Sequence, residues 1–437
     1  MGSWGAQVVR KTDHLNPMQD APLSNDLRRQ HLEVTRRHFM RLGAVGLGAT
    51  QAIALWAKES DAEILADATS DMEYLTYQDE FGTVERGKPL PYTLPLEKRL
   101  EIGLERETWK LEVIPDPDSN AAVVNPMTRE KGNALDFKGL MKLAEKHAVR
   151  FLKVMTCNNM KGPLGMGLWE GVPLRNVIWL AKPTANVRRV FYYGHHNEDP
   201  KQMFRSSLPI GRALEDPPGD NPILLCYKLN GEWLSGRRGG PVRMLVPDAY
   251  GFKSVKWLKT VALTNNHQAN DTYAGGNNDI ASWMKTMCRF VYKPAKEKAG
   301  VPIPVTGLAQ VGVGGLSKAQ VWIHPQGKEW PKDDPYFTKA PWQDAEILPP
   351  PTNWGGDLPE GKLPPDVQFF TKEGKPEHWP MRYTIAHWAT LLKDVAPGKY
   401  DVHCRSIDDK GNAQPMPRPF RKDGANAIQK ATITVEG

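Results

Sequence analysis

The run Phe151-Leu-Lys-Val-Met-Thr-Cys157-Asn-Asn-Met-Lys161 places one thiol at the end of an alternating apolar segment, where the chain opens into a loop of Asn and Gly. Such alternation predicts a strand, and a polar loop at its end is where chemistry is commonly carried. Metal ligation is the chemistry to test for. Zinc fails the test, because no Cys-x-x-Cys and no His pair lies near Cys157 to complete a four-ligand shell. Taken alone, Cys157 reads as a small buried apolar residue. Two later stretches carry cations at anchored turns: Gly239-Gly-Pro-Val-Arg243-Met-Leu-Val-Pro247 and Ser254-Val-Lys256-Trp-Leu258. Gly194-His195-His196 and Asn265-Asn266-His267 add further polar candidates.

The elements that must position these groups are short. Thr108 to Ile114, the Cys157 segment, Val187 to Tyr193, Asn221 to Leu229 and Val242 to Pro247 read as strands, and Leu135 to Ala148 and Pro173 to Ala181 as helices. Trp169-Glu-Gly-Val-Pro-Leu174 reads as a compact turn, 194–220 as loop and short helix, and 58–100 as an irregular surface wrap. Strands alternating with short helices in this way predict an α+β domain. Near residue 298 the texture changes. Beyond Lys293-Pro-Ala-Lys-Glu-Lys-Ala-Gly-Val-Pro302 the chain reads as regular short strands around a long Pro-rich loop, 331–380, which predicts an immunoglobulin-like β-sandwich. The expected division is a leader and tail over 1–68, a first domain over 75–297 and a sandwich over 298–437.

Thr35-Arg36-Arg37-His38-Phe39-Met40-Arg41 fits the twin-arginine pattern, and Leu42 to Ala57 follows as a weakly apolar, acid-free segment. That segment is too short and too rich in Gly and Ala for a membrane span. Export by this route carries folded passengers, often around a cofactor inserted in the cytoplasm, so a periplasmic redox enzyme is the favoured class. The net charge of +7 includes +3 from residues 1–57, with seven Lys and Arg against four Asp and Glu. The remaining +4 is too diffuse for nucleic acid. With 437 residues and 40% hydrophobic content there is ample material for two cores. Cys157, Cys226, Cys288 and Cys404 are far apart and read as free thiols in a chain whose core needs no staples.

Taken in order, the motifs resemble the sulfite oxidase family of molybdopterin enzymes from about residue 80 to the C-terminus. The Cys157 loop, Trp169-Glu-Gly-Val-Pro-Leu-Arg-Asn-Val177, Asn230-Gly-Glu-Trp-Leu234, the Arg243 stretch and the Lys256 stretch follow the family's sequence of signatures, and Asp408-Asp-Lys-Gly-Asn-Ala-Gln-Pro415 resembles a turn of its dimerisation domain. The resemblance implies that Cys157 ligates molybdenum held by a molybdopterin dithiolene. It implies cofactor contacts from Arg243, Lys256, Ser254, Arg238 and Arg86. It further implies a small sulfur-containing substrate that gains or loses oxygen, a c-type cytochrome as electron partner and a homodimer. No Cys-x-x-Cys-His for a haem of the chain's own is present.

The departures bear on the substrate. Family members that take the sulfite dianion carry Arg shortly after the cysteine, whereas Cys157-Asn-Asn-Met-Lys161 offers only the point charge of Lys161. The stretch expected to hold the family's active-site Tyr is Leu263-Thr-Asn265-Asn266-His267-Gln268, which makes Asn266 and His267 the polar candidates, with Tyr273 reaching in from a different position. An S-oxide or N-oxide reductase, and a non-catalytic binding protein on the same scaffold, are the alternatives.

Overall fold

Apolar alternation in this chain builds strands, and the amphipathic run Phe137–His147 builds a helix. The computed structural model describes residues 64–65 and 74–437, apart from 159–161, 217, 357, 417, 419 and 425. The chain divides into two units, Met1–Ser70 and Asp71–Gly437, and the second holds the elements that follow. The twin-arginine stretch and Lys161 lie outside the described residues.

The first half opens with helix α1 (Leu96–Glu101) and strands β1 (Lys110–Pro115) and β2 (Leu135–Asp136). Helix α2 (Phe137–His147) begins where the Asp136 carboxylate accepts from Gly139 N at 2.7 Å, an N-cap, and stops where Ala148 turns extended. Then come β3 (Val149–Met155), β4 (Gly165–Pro173), α3 (Leu174–Leu180), β5 (Arg189–Gly194), β6 (Arg205–Pro209) and α4 (Ile210–Leu214). The half closes with β7 (Leu224–Leu229), β8 (Glu232–Trp233), β9 (Arg243–Leu245) and β10 (Leu258–Thr264). Two sheets result. One has the order β2-β1-β10-β5-β6, and the other runs β3-β4-β7-β8 with β9 beside β7. Their facing sides share a core that includes Trp109, Leu111, Val172, Val190, Leu225 and Met244.

The second half contains β11 (Met287–Tyr292), β12 (Lys296–Lys298), β13 (Ile303–Gln310), β14 (Lys318–Pro325), β15 (Gln343–Ile347), β16 (Ile385–Leu392), β17 (Gly398–Ile407) and β18 (Gln429–Glu436). They hydrogen-bond in one order, β11-β13-β16-β15-β14-β17-β18-β12. β15 pairs with β14 over one stretch and with β16 over the next, linking two halves of the sheet. Val305 and Trp388 from one half pack in a single core with Val321, Val402, Cys404 and Ile433 from the other, so the sheet is folded upon itself.

Four expectations change. Trp169-Glu-Gly-Val-Pro is part of β4, a strand with all nine residues buried; its glycines read as turn signals but serve close packing, since a Cβ at Gly171 would lie 2.5 Å from the Leu225 carbonyl oxygen. Residues 205–209, taken as loop, form β6. The Pro-rich stretch contains β15. Residues 74–87 do not wrap the surface as irregular chain: Tyr74, Leu75 and Phe81 are buried, and Phe81 meets Trp169 edge-on at 5.7 Å.

Candidate functional site

β3 delivers Cys157. Phe151 to Met155 are all buried, so the strand runs inside the molecule and its end is fixed by packing on both faces. β4 returns antiparallel, with Met155 opposite Gly165, and Leu164 N donates to Met155 O at 2.7 Å. The thiol, 6% exposed, lines a cavity with Phe81, Trp169 and Phe252.

A second sheet end supplies the opposite wall. β5 and β10 are antiparallel, and Gly194, the last residue of β5, sits opposite Leu258, the first of β10. His195 and His196 therefore leave the sheet where Ser254, Lys256 and Trp257 enter it, and His195 N donates to Trp257 O at 2.9 Å. A Cβ at Gly194 would collide with the Lys256 carbonyl oxygen, so the close approach depends on glycine. Trp257 adopts φ +51°, a left-handed conformation held by its own N–H to Gly239 O and its indole N–H to Gly236 O.

Arg243 opens β9, which pairs with β7 so that Arg243 lies opposite Cys226. Its guanidinium donates to Arg238 O at 2.8 Å and to Ser254 O at 2.6 Å, and it lies 5.5 Å from the Trp169 ring centre. Arg238 donates to Gly82 O at 3.0 Å. Lys256 Nζ donates to Thr83 Oγ1 at 2.7 Å and to Arg237 O at 2.9 Å. Ser254 Oγ accepts from Val246 N at 3.1 Å, which fixes the turn. Burial pulls Arg243 and Arg238 down to about 10, with Arg238's charge adding to the first and Arg237's to the second; burial, Arg243, Arg238 and Arg237 push Lys256 well below the usual lysine value. Among the described residues no carboxylate forms an ion pair with any of the three; Glu85 sits 3.8 Å from Arg237 instead. Arg238 Nη2 and Arg243 Nε are buried without a partner.

Arg86 completes the wall. Its guanidinium stacks 4.1 Å over Phe204 and donates to Tyr273 OH at 2.8 Å. Tyr273 is placed by Asp271, two residues earlier, whose buried carboxylate takes Lys253 Nζ, Ser206 Oγ and Ser207 Oγ. Burial brings Lys253 down to about 8 despite that partner. Lys422, from the far end of the chain, lies 5.3 Å from the Tyr273 ring centre.

The structure thus gathers Cys157, Arg86, Arg238, Arg243, Ser254, Lys256, His195 and His196 around one cavity. Burial lowers the His195 pKa, with the Lys259 charge adding to it, and His196 Nδ1 is buried without a partner. Asn266 and His267 are elsewhere. They follow Thr264, which pairs with Arg189 at the other end of the β5–β10 ladder, about 20 Å from the cavity at strand rise. Asn266 lines a shallow depression with Asp118, Ser119 and Asn120, and His267 is exposed. Thr83, Phe204 and Lys422 escape sequence reading because nothing local marks them; Thr83 meets Lys256 across 173 residues.

Three cations without carboxylate partners, two of them with orphaned donors, fit an anionic group such as a phosphate. A single thiol on the same space fits a soft metal whose other ligands arrive with a cofactor. The comparisons with known proteins agree. Residues 105–272 match the family described as "Oxidoreductase molybdopterin binding domain". The chain is 34% identical over 267 residues to the sulfite oxidase of Gallus gallus, covering 58% of this chain and 51% of that protein. It is 31% identical over 107 residues to a nitrate reductase [NADPH] of Beauveria bassiana, covering 24% of this chain and 12% of the relative. The match therefore spans at most about half the length of these curated relatives. The solved sulfane dehydrogenase SoxCD from Paracoccus pantotrophus superimposes with a TM-score of 0.50 at 15% identity, over 76% of this chain and 79% of that one, a likeness of fold.

Proposed function

Residues 105–272 belong to the molybdopterin-binding oxidoreductases of the sulfite oxidase type, and from that premise we propose that this chain is an exported molybdenum-dependent oxidoreductase that moves an oxygen atom to or from a small sulfur-containing substrate. The carrying observation is the convergence of Cys157 with Arg238, Arg243 and Lys256 on one cavity.

On this reading Cys157 holds the metal as a thiolate. Arg243, Lys256 and Arg238 hold the phosphate of the pterin, and the Phe81 and Trp169 rings exclude water behind them. The bound group supplies a two-electron couple and the atom-transfer chemistry. Arg86 and Tyr273 then orient the substrate's oxygen, with Lys422 adding positive potential beside them. Among the described residues one arginine serves that wall, and Phe204 and Phe252 flank it. That favours a substrate less charged than a dianion, such as an S-oxide, and keeps the reductive direction as a second reading.

Electrons pass to or from a separate c-type cytochrome in the periplasm. Export rests on Arg36-Arg37, and replacing both by Lys is expected to leave the protein in the cytoplasm; unchanged export ends that part of the reading. The β-rich half, expected over 298–437, is assigned as an immunoglobulin-like sandwich that mediates a homodimer, supported by a folded eight-stranded sheet that begins earlier, at β11, with the half before β11 carrying the cofactor. The test of the whole is metal and pterin analysis of protein purified from its native compartment. About one molybdenum and one fluorescent oxidised pterin per chain are expected, followed by turnover of sulfite, S-oxides or N-oxides with a cytochrome. Neither group in protein made where the cofactor is available leaves a binding scaffold with Cys157 as packing.

A further inference from the structure

The cysteine hairpin is gripped from the β-rich side at three points. Val154 N, three residues before the thiol, donates to Tyr383 O at 2.7 Å, an acceptor outside its own sheet. Thr156 Oγ1, one residue before the thiol, donates to Gln310 Oε1, and Gln310 Nε2 in turn donates to Lys285 O at 2.9 Å. Gly162, on the limb returning to β4, forms a notch that the Arg289 guanidinium fills: a Cβ there would lie 2.7 Å from Arg289 Cζ and collide with Nη1. On the opposite side Gly251 N donates to Thr156 O at 2.6 Å, so both polar groups of Thr156 beyond its own N–H are held.

Gln310 is the last residue of β13, and its side chain is fully buried. A buried amide costs free energy unless every donor and acceptor is matched, and an apolar residue would pack a sandwich strand equally well. Here one side of the amide is matched to β-rich backbone and the other to the residue that precedes the thiol. Arg289 repeats the arrangement from the neighbouring strand β11, reaching across to the far limb of the same hairpin.

We propose that Gln310 and Arg289 are positioning residues for Cys157, so that the β-rich half sets the direction of the thiol. The role rests on the reading of Cys157 as the metal ligand, but the geometry can be tested without the metal. In the full chain prepared free of cofactor, alkylation by iodoacetamide is followed at each of the four cysteines by peptide mass spectrometry. Cys226, Cys288 and Cys404 are fully buried and report general loosening, and Cys288 and Cys404 report in particular on the strands that bear Arg289 and pack against it. Thr156→Val and Gln310→Leu are each expected to speed labelling of Cys157 by about tenfold while the other three stay at their wild-type rates. The double variant is expected to be no faster than either single one, and Thr156→Ser, which keeps the hydroxyl, to restore the slow rate. Gly162→Ala, which displaces the guanidinium without removing it, is expected to act like Arg289→Met. Unchanged labelling at Cys157, or a rise at all four cysteines together, overturns the proposal. Should Gln310→Leu fail to fold, Thr156→Val decides the question. Absence of molybdenum from native protein would refute the ligand reading and leave this labelling result standing on its own.

Discussion

The Cys157 sulfur has a single weak polar contact, 4.0 Å from Asn158 Oδ1, so truncation to alanine removes one buried heavy atom and little else. Cys157→Ala is expected to cost about 1 kcal/mol, a shift of about 3 °C in the thermal midpoint, while molybdenum per chain falls to background. Collapse of the fold, with normal metal content in whatever folded fraction survives, would assign Cys157 to the core. At this scale the sequence was legible where chemistry and local anchoring coincide. Cys157 closes an alternating strand, Arg243 follows Gly-Gly-Pro-Val, and Ser254 and Lys256 precede Trp257. Asn266 and His267 were drawn to the site by adjacency to β10, yet a strand carries its two ends to opposite edges of a sheet, and they leave by the wrong one. Tyr273 instead meets Arg86 on the cavity wall, because Asp271, buried against Lys253, brings the chain back beside β6.

The elements owe their arrangement to where strands cross closely. β5 and the turn ahead of β10 approach so tightly at Gly194 that the Lys256 carbonyl occupies the room a side chain needs. Because the colliding atom is backbone, the strain cannot be relieved by a rotamer change. Gly194→Ala is therefore expected to cost about 3 kcal/mol, read as a lowered urea midpoint, and to displace Lys256 so that cofactor is lost more readily on dialysis. Wild-type stability together with wild-type retention would show that the turn is looser than the packing implies. Element existence was readable from apolar patterning, as strand runs for β1, β3, β5, β7 and β9 and as helical runs for α2 and α3. β4 was misread because Gly165, Gly167 and Gly171 resemble turn signals when the crossing strand that needs the space is unknown. β15 was hidden among prolines, since Gln343-Asp-Ala-Glu-Ile347 shows its identity only beside β14 and β16.

Buried basic groups tie the whole molecule's stability to pH, and the sign can be worked out. Burial lowers Lys153 and Lys259 to about 7 and Lys253 to about 8, and pushes Lys256 well below 10.5. Lys153 is fully buried, its ammonium held by the Pro247 and Ala249 carbonyls at 2.8 and 3.0 Å. Between each lowered value and 10.5 the unfolded chain binds more protons than the folded one, so stability rises with pH across that window. The Cys226, Cys288 and Cys404 thiols and Tyr74, Tyr192 and Tyr383, all raised by burial, act in the opposite direction once the unfolded cysteines, and then the unfolded tyrosines, ionise. Cofactor-free protein is therefore expected to gain stability from about pH 7, with the rise flattening above about pH 8.5 as unfolded thiols ionise, measured as urea unfolding free energy at several pH values. A phosphate beside Lys256 favours its charged form and returns its pKa toward the normal value, which removes that lysine's share of the slope. The loaded protein should accordingly show a flatter rise than the cofactor-free one. Lys256→Met is expected to flatten the cofactor-free curve in the same way and to weaken cofactor retention, whereas Lys153→Met, which removes an ammonium bonded to the Pro247 and Ala249 carbonyls, should lower the slope of both forms. Equal slopes with and without cofactor in the wild-type chain would remove Lys256 from the phosphate site, and a Lys153→Met variant with an unchanged slope would show that this lysine titrates in the folded protein as it does in water.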